Sequence, residues 1–299
     1  AVHLDLAAPA ELPRAEARAQ GLLRSTVLDE PLAEALFFVA EARFAAGEDA
    51  AAAALYRAAE PAAGPLLEAL LYKRGFAALR SKEAAAASAD FERLLSTFPN
   101  GELAGETAFL LAEARGLSGD LAGAAQALET LLERWPRHAL RQTALLRLGL
   151  ALQRLGRHDE AVARLEEWLA AAGAAPERAE AELARGRAQR ASGAARPARQ
   201  SFQRVLELDR GPLAAQAQLE LAELSRAEGA LEAALTEYLK LAVLYEPGDA
   251  VARALFGAGE LLESLGRPER AREQWSELLR DYPEHPLAPA ARQRLSGGR

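Results

Sequence analysis

Apolar residues follow helical spacing along most of this chain, and residues 142–169 show the pattern clearly. The first segment places its apolar side chains on one helical face, at Leu145, Leu146, Leu148, Leu152 and Leu155. Gly156 then ends the helix, because glycine adopts the left-handed backbone conformation without penalty. Asp159 and Glu160 open a second helix, since acidic groups favour the positive end of the helix dipole. The apolar stripe of that helix consists of Ala161, Leu165, Trp168 and Leu169. The pattern predicts a helix–turn–helix unit.

The unit recurs with a period of about 37 residues, the distance from Phe98-Pro99 to Trp135-Pro136, and four positions keep their spacing in seven units. A small residue stands in each first helix, at Ala40, Gly75, Ala112, Gly149, Gly186, Ala222 and Gly259. A turn residue follows at Gly47, Lys82, Gly119, Gly156, Gly193, Gly229 and Gly266. An alanine comes next, at Ala52, Ala87, Ala124, Ala161, Ala198, Ala234 and Ala271. A large apolar residue completes the unit, at Tyr56, Phe91, Leu128, Leu165, Phe202, Tyr238 and Trp275.

The small positions predict how the two helices of a unit approach each other. We expect Gly149 and Ala161 to face each other across the hairpin, because larger side chains would push the backbones apart. Leu165 and its counterparts would then fill the space between that hairpin and the next. The abundance of alanine, the residue with the best helix propensity, favours an all-α protein.

This pattern resembles the tetratricopeptide repeat family, with its small residue, early second-helix alanine, aromatic four positions on and late proline. The resemblance covers residues 31–286 and implies a right-handed α-solenoid of about seven repeats. The predicted repeats are 31–65, 66–101, 102–138, 139–176, 177–212, 213–248 and 249–286. Departures from the family pattern are Lys82 in a turn, and Arg74 and Arg185 where an apolar residue is usual.

The sequence predicts a capping helix at each end of the chain, because repeat arrays need caps that cover their terminal hairpins. Residues 1–30 are predicted to hold an N-terminal segment and a capping helix over 11–28, and 287–299 a short capping helix and tail. Residues 1–10 and 296–299 are expected to be loose. The ending of the last unit, 282–288, also resembles bacterial envelope proteins of the outer-membrane assembly and Tol–Pal-associated type.

The family resemblance implies that the first helices line a concave groove able to bind a protein or peptide. The candidate groove residues are Phe37, Phe44, Tyr72, Phe76, Phe109, Arg154, Arg187 and Arg190. They predict an aromatic N-terminal part and a basic middle, followed by an acidic part with Glu223, Glu260 and Glu263. In the alternative interpretation, the large apolar residues of the first helices are core residues that pack against the next repeat. The paired asparagines and lysines with which chaperone-binding relatives hold a C-terminal carboxylate are missing.

Charge and composition limit the classes of function that this chain can have. The formal net charge of −7 is spread over both halves, which argues against nucleic acid as the partner. No cysteine is present, and no apolar run is long enough to cross a membrane. We find no catalytic constellation, metal-ligand spacing or phosphate loop, and we interpret His158-Asp159-Glu160 as a turn and a helix start. We therefore predict a protein that is not an enzyme and has no cofactor.

The chain begins Ala1-Val2-His3 and contains no methionine. Small residues at a cut site suit signal peptidase, so we expect export to the periplasm, the outer membrane or the exterior, with a cytoplasmic protein as the alternative. The leading hypothesis is a non-catalytic scaffold that assembles or tethers proteins in the bacterial envelope. Two alternatives remain: a structural protein that self-associates head to tail through its terminal hairpins, and a regulatory subunit of a glycan-processing envelope complex.

Replacing the second-helix alanine tests this register. Ala161→Leu should overpack the hairpin crossing and lower the free energy of unfolding by roughly 1–3 kcal/mol. Thermal denaturation followed by circular dichroism measures the effect. An unchanged melting temperature would count against the alignment of the repeats.

Overall fold

The computed structural model describes residues 17, 21 and 28–296, and within these residues the regular structure is helical, without strands. The all-α repeat fold predicted from the sequence is confirmed. Its α-helices are α1 Glu30–Ala45, α2 Asp49–Ala59, α3 Leu67–Arg80, α4 Ala84–Thr97, α5 Ala104–Leu117, α6 Leu121–Arg134, α7 Arg141–Arg154, α8 His158–Ala171, α9 Arg178–Ala191, α10 Ala195–Leu208, α11 Pro212–Ala227, α12 Leu231–Leu244, α13 Asp249–Ser264, α14 Pro268–Asp281 and α15 Ala288–Ser296. Two 3-10 turns, Glu60–Ala62 and Gly64–Leu66, connect α2 to α3.

The chain divides into two compact units, Ala1–Ala151 and Leu152–Arg299. In the first unit, successive helices from α1 to α6 pack against one another. In the second unit, α8 to α15 pack in the same sequential way, and first helices of successive hairpins also touch, α9 with α11 and α11 with α13. The C-terminal capping helix is present as α15, whereas the predicted N-terminal cap and loose end fall almost wholly outside the described residues, as does the end of the C-terminal tail.

The turn inside every hairpin adopts a left-handed conformation at the position predicted from the spacing. The six turn glycines have φ between 69° and 84°, and Lys82 takes their place in the second hairpin with φ 61°. The main-chain hydrogen bonds are those of a glycine-type helix ending; the amides of Lys82 and Glu83 reach back to the carbonyls of Leu79 and Ala78, at 3.0 and 2.8 Å. Lys82 is the one residue other than glycine with positive φ in the described chain.

The small, alanine and large positions of all seven units are buried, as the sequence predicts. Their packing differs from the expected scheme in one respect. A Cβ added to Gly75 would lie 2.6 Å from the Phe91 ring, and one added to Gly186 would lie 2.5 Å from the Phe202 ring. The large side chain therefore lies over the small residue of its own hairpin, and is not confined to the space before the next one.

The two unusual arginines bind the second helix of their own hairpins. Arg74 Nε donates to Asp90 at 2.8 Å, and this pair is buried. The equivalent Arg185 donates to Ser201 at 3.1 Å and pairs with the fully buried Glu182 at 2.6 Å. A charge replaces the usual apolar contact here because both guanidinium groups have hydrogen-bonding partners.

Adding a methyl group at Gly75 tests the helix crossing. Gly75→Ala should lower the free energy of unfolding by about 1–3 kcal/mol, since the new Cβ overlaps the Phe91 ring. Gly116→Ala is the matched control, because nothing lies within 4 Å of a Cβ there, and it should be neutral or stabilising by up to about 0.5 kcal/mol. Urea denaturation compares the variants. Equal midpoints for the two would contradict this packing.

Replacing Lys82 with glycine tests whether the left-handed turn of the second hairpin is strained. Lys82→Gly should raise the free energy of unfolding by about 1 kcal/mol, because a left-handed conformation strains a residue with a Cβ. The reciprocal control is Gly119→Ala, where φ is 84° and the surroundings are open, so backbone strain alone should destabilise by a similar amount. A lower urea midpoint for Lys82→Gly than for the parent chain would refute the strain.

Candidate partner-binding site

Three aromatic side chains of α1 and α3 form a half-buried cluster in the first unit, which we call the aromatic face: Phe44, Tyr72 and Phe76. The Phe44 and Phe76 ring centroids are 5.9 Å apart in an edge-to-face arrangement. The Tyr72 and Phe76 rings are 6.2 Å apart and nearly parallel. Tyr72 and Phe76 stand one helical turn apart, so they share a side of α3. The aromatic face thus comes from the first helices of two successive hairpins.

Two cations border this face. The Lys73 amine lies 5.4 Å from the Phe44 ring centroid, and the Arg80 guanidinium lies 4.6 Å from it. Both are within the range of cation–π attraction. Each also pairs with a carboxylate, Lys73 with Glu41 at 2.8 Å and Arg80 with Asp49 at 3.2 Å. The charges are therefore fixed in place beside the rings.

Tyr72 is held by a contact with the following hairpin. Its hydroxyl donates to Glu106 at 2.8 Å. Burial, together with the hydrogen bond to the Glu106 carboxylate, raises the pKa of Tyr72 above its ordinary value. The phenol accordingly stays protonated at neutral pH and acts as a fixed donor that orients the ring.

The structure places two other aromatic candidates in the core. Phe37 is 8% exposed and packs on Tyr56, with 5.6 Å between ring centroids. Phe109 is 7% exposed and lies beneath the Arg147 guanidinium at 4.9 Å. Leu146, Leu183 and Leu219, at the equivalent position of later hairpins, are buried as well. Most of the large apolar residues at this position of the first helices are therefore core residues, as the alternative interpretation predicts.

The three arginines predicted to line the groove lie in the second unit, and they differ in their ion pairs. Arg154 is exposed at the end of α7. Arg187 and Arg190 share one carboxylate, that of Glu220, at 2.8 and 3.0 Å. Two guanidinium groups thus face a single negative charge, which leaves a local positive excess.

The acidic part expected toward the C-terminus is largely neutralised. Glu260 pairs with Arg226 at 3.1 Å and with Arg294 at 3.4 Å. Glu263 also pairs with Arg294, at 3.0 Å. Arg294 belongs to the capping helix α15, so that helix supplies the charge that compensates the first helix of the last hairpin.

A series of contacts joins first helices one repeat apart, and the last of them reaches the capping helix; these contacts were not predicted from the sequence. They join Glu41 to Lys73, Tyr72 to Glu106, Glu113 to Arg147, Arg187 to Glu220, Arg226 to Glu260 and Glu260 to Arg294. The partners are 32 to 34 residues apart, so complementary charges at nearly one repeat length were a usable signal. Exposed pairs of this kind each contribute about 0–1 kcal/mol, and together they fix the alignment of neighbouring first helices.

The described residues hold no group of three or more histidines and carboxylates that could bind a metal ion. None of the helices in this part of the chain is long and apolar enough to span a membrane. The described site is a surface of aromatic and charged side chains. Within it, no nucleophile lies beside both a general base and a set of anion-binding donors.

A tetratricopeptide repeat-like domain model matches residues 46–209, more than half of the chain. The chain belongs to the tetratricopeptide repeat family. Further tetratricopeptide repeat models match residues 183–252 and 253–285 of this TPR protein. TPR domains are typically non-catalytic and mediate protein–protein interactions. No curated protein matches the chain.

Several solved TPR structures share the fold. The C-terminal part of a TPR repeat-containing protein from Cytophaga hutchinsonii is 18% identical, with a TM-score of 0.61 over 85% of this chain and 98% of that one. A tetratricopeptide repeat protein from Parabacteroides merdae is 20% identical, with a TM-score of 0.53 over 88% and 97%. PilW, described as a widely conserved type IV pilus biogenesis factor, is 21% identical, with a TM-score of 0.54 over 75% and 97%. Identities this low establish the fold alone.

Proposed function

We propose that this TPR protein is a non-catalytic scaffold that binds a protein partner through the aromatic face. The observation that carries the proposal is the incomplete burial of Phe44, Tyr72 and Phe76. Most of the large apolar residues on the other first helices are in the core. Aromatic side chains anchor many protein interfaces because they bury a large area at little entropic cost.

The surroundings of the face indicate what kind of segment it binds. The half-buried rings suit apolar side chains, either from an extended peptide or from one side of a helix. Lys73 and Arg80 are held at the border of the rings by Glu41 and Asp49, so the face carries paired charges of both signs beside its rings. The partner we propose therefore presents apolar residues with polar or charged residues beside them.

We further propose that the chain works in the bacterial envelope, after export. The support is the ending of the last unit, residues 282–288, which resembles envelope-type TPR proteins. The solved PilW structure, a pilus biogenesis factor of the same fold, is compatible with this setting.

The terminal helix favours partner binding over head-to-tail self-association. Leu287 and Leu295 at the ends of α15 are half-buried and pack against the core of the second unit. The exposed large apolar residues of the described chain lie elsewhere, at Phe38, Leu117, Leu208, Val243 and Leu244. The last helix thus leaves little apolar surface on which another hairpin could stack.

Site-specific photo-crosslinking tests the proposal in the cells that make the protein. Benzoylphenylalanine in place of Phe76 should give covalent adducts with another protein, since position 76 would lie in the interface. The same probe in place of the exposed Leu117 is the matched control and should give few adducts. Adding Tyr72→Ala should reduce the adducts at position 76, because it removes a neighbouring anchor.

Mass spectrometry of the adducts decides between the hypotheses. Envelope proteins enriched at position 76 support both the site and the compartment. Equal labelling at positions 76 and 117 would refute the aromatic face as the binding site. Adducts that contain only this chain would instead favour self-association, and adducts with cytoplasmic proteins would contradict export.

A further inference from the structure

The second unit contains a cavity of about 600 Å³ far in sequence from the aromatic face. Its walls are the connection from α10 to α11, the connection from α12 to α13 and the first turns of α11 and α13, and we call it the loop cavity. Its apolar lining is formed by Pro212, Ala215, Leu219, Leu244, Tyr245, Pro247 and Val251. Leu219 and Val251 are each 5% exposed, so the cavity has a buried apolar floor. A volume of this size is in the range of ligand-binding pockets in proteins.

An exposed apolar strip continues from the edge of the loop cavity. Leu244 is 65% exposed at the edge, and the adjacent Val243 is 80% exposed. Leu208, which ends α10 as Leu244 ends α12, is also exposed. Water-facing apolar side chains next to a cavity mark a binding surface more often than isolated ones do.

The repeat itself shows that this strip is unusual. The last residue of the second helix is polar in three other hairpins, at Thr97 in α4, Arg134 in α6 and Asp281 in α14, and it is alanine in α2 and α8. Leucine stands at this place only in α10 and α12 among the seven second helices. The repeat architecture does not need leucine here, because the equivalent hairpins fold with polar residues or alanine.

Three arginines line the loop cavity: Arg187, Arg210 and Arg253. Arg210 is exposed and donates to the backbone carbonyl of Leu206 at 2.7 Å, a neutral acceptor, so its guanidinium is not held by that contact in an ion pair. Arg187 shares Glu220 with a second arginine. These cations project positive charge toward the cavity from two sides.

The carboxylates around the cavity are mostly occupied. Asp249 lies 3.1 Å from the imidazole of His285 and 3.9 Å from Arg253. Asp209 accepts the backbone amides of Gly211 and Ala214 at 3.0 and 2.8 Å. Glu246 is the remaining acidic residue of the lining, so the wall carries three arginines against two carboxylates. An acidic occupant is therefore favoured electrostatically.

We propose that the loop cavity binds an extended acidic segment of a partner protein, with a large apolar side chain in the cavity and a neighbouring carboxylate on Arg210. The exposed Leu244 and the adjacent Val243 would support the residues that follow. A peptide fits this arrangement better than a small molecule does, because the exposed apolar surface continues past the cavity edge at Val243. This inference rests on the proposed protein-binding function and adds a second site with its own specificity.

Selection of short random peptides displayed on phage, panned on the full chain, tests the site. Enriched peptides should contain a large apolar residue next to aspartate or glutamate. Fluorescence polarisation then measures their affinity for the parent chain and for two variants. Leu244→Ser and Arg210→Glu should each weaken binding roughly tenfold or more, as loss of an anchor or reversal of a charge does.

Matched controls separate this site from general effects. Leu117→Ser changes an exposed apolar residue and Arg137→Glu changes an exposed arginine of an inter-hairpin loop, both in the first unit. Neither should alter the affinity. Changing the acidic residue of the peptide to lysine should abolish binding to the parent chain and restore it to the Arg210→Glu variant. Circular dichroism verifies that all variants remain folded.

Several outcomes would overturn the proposal. They are the absence of enriched peptides, basic rather than acidic enriched sequences, and affinities that Leu244→Ser leaves unchanged. Peptides that depend on Phe76 but not on Leu244 would refute the loop cavity while leaving the aromatic face intact. If the parent chain is a dimer that Leu244→Ser dissociates, the occupant is a second copy of the chain and the peptide proposal is wrong.

Discussion

The close contact between a small residue of the first helix and a large residue of the second is the constraint on which each hairpin depends. Phe202 lies so near the Gly186 backbone that a single added carbon would meet its ring at 2.5 Å. Tyr238 makes a similar approach to Gly257 in the next hairpin, where an added carbon would lie 2.9 Å from the ring. The large position of the second helix thus packs within a hairpin in one case and against the next hairpin in the other, so it serves both to close hairpins and to join them.

This packing decides which surfaces are free to differ between repeats. The second helices commit their large side chains to the core, so variation is concentrated on the first helices and the connections. In the first unit this variation gives three half-buried rings beside fixed cations. In the second unit it gives charge pairs along the first helices, and a cavity with the exposed Leu244 at its edge. A uniform scaffold can thereby carry binding surfaces of different chemistry.

The sequence predicted the backbone better than the surface, for a physical reason. Turn conformation depends on one residue, so spacing alone located the left-handed turn of all seven hairpins, including Lys82, but not Gly64 and Gly173 in the connections between hairpins. Burial of the groove candidates depends on neighbours in three dimensions: Phe37 and Tyr72 occupy equivalent positions, yet Phe37 packs on Tyr56 in the core and Tyr72 is half-exposed. The contacts between first helices one repeat apart were not predicted because each residue was considered within its own repeat, whereas its partner lies in the next one.

The central claim is that these surfaces bind other proteins and do not serve to polymerise the chain. Light scattering coupled to size-exclusion chromatography, over a wide range of protein concentration, tests it most directly. The account predicts one species with the mass of a single chain, 31.9 kDa, at every concentration. A mass that grows with concentration, with rods or fibres in negative-stain images of the same fractions, would contradict the account and make self-assembly the function of the repeat.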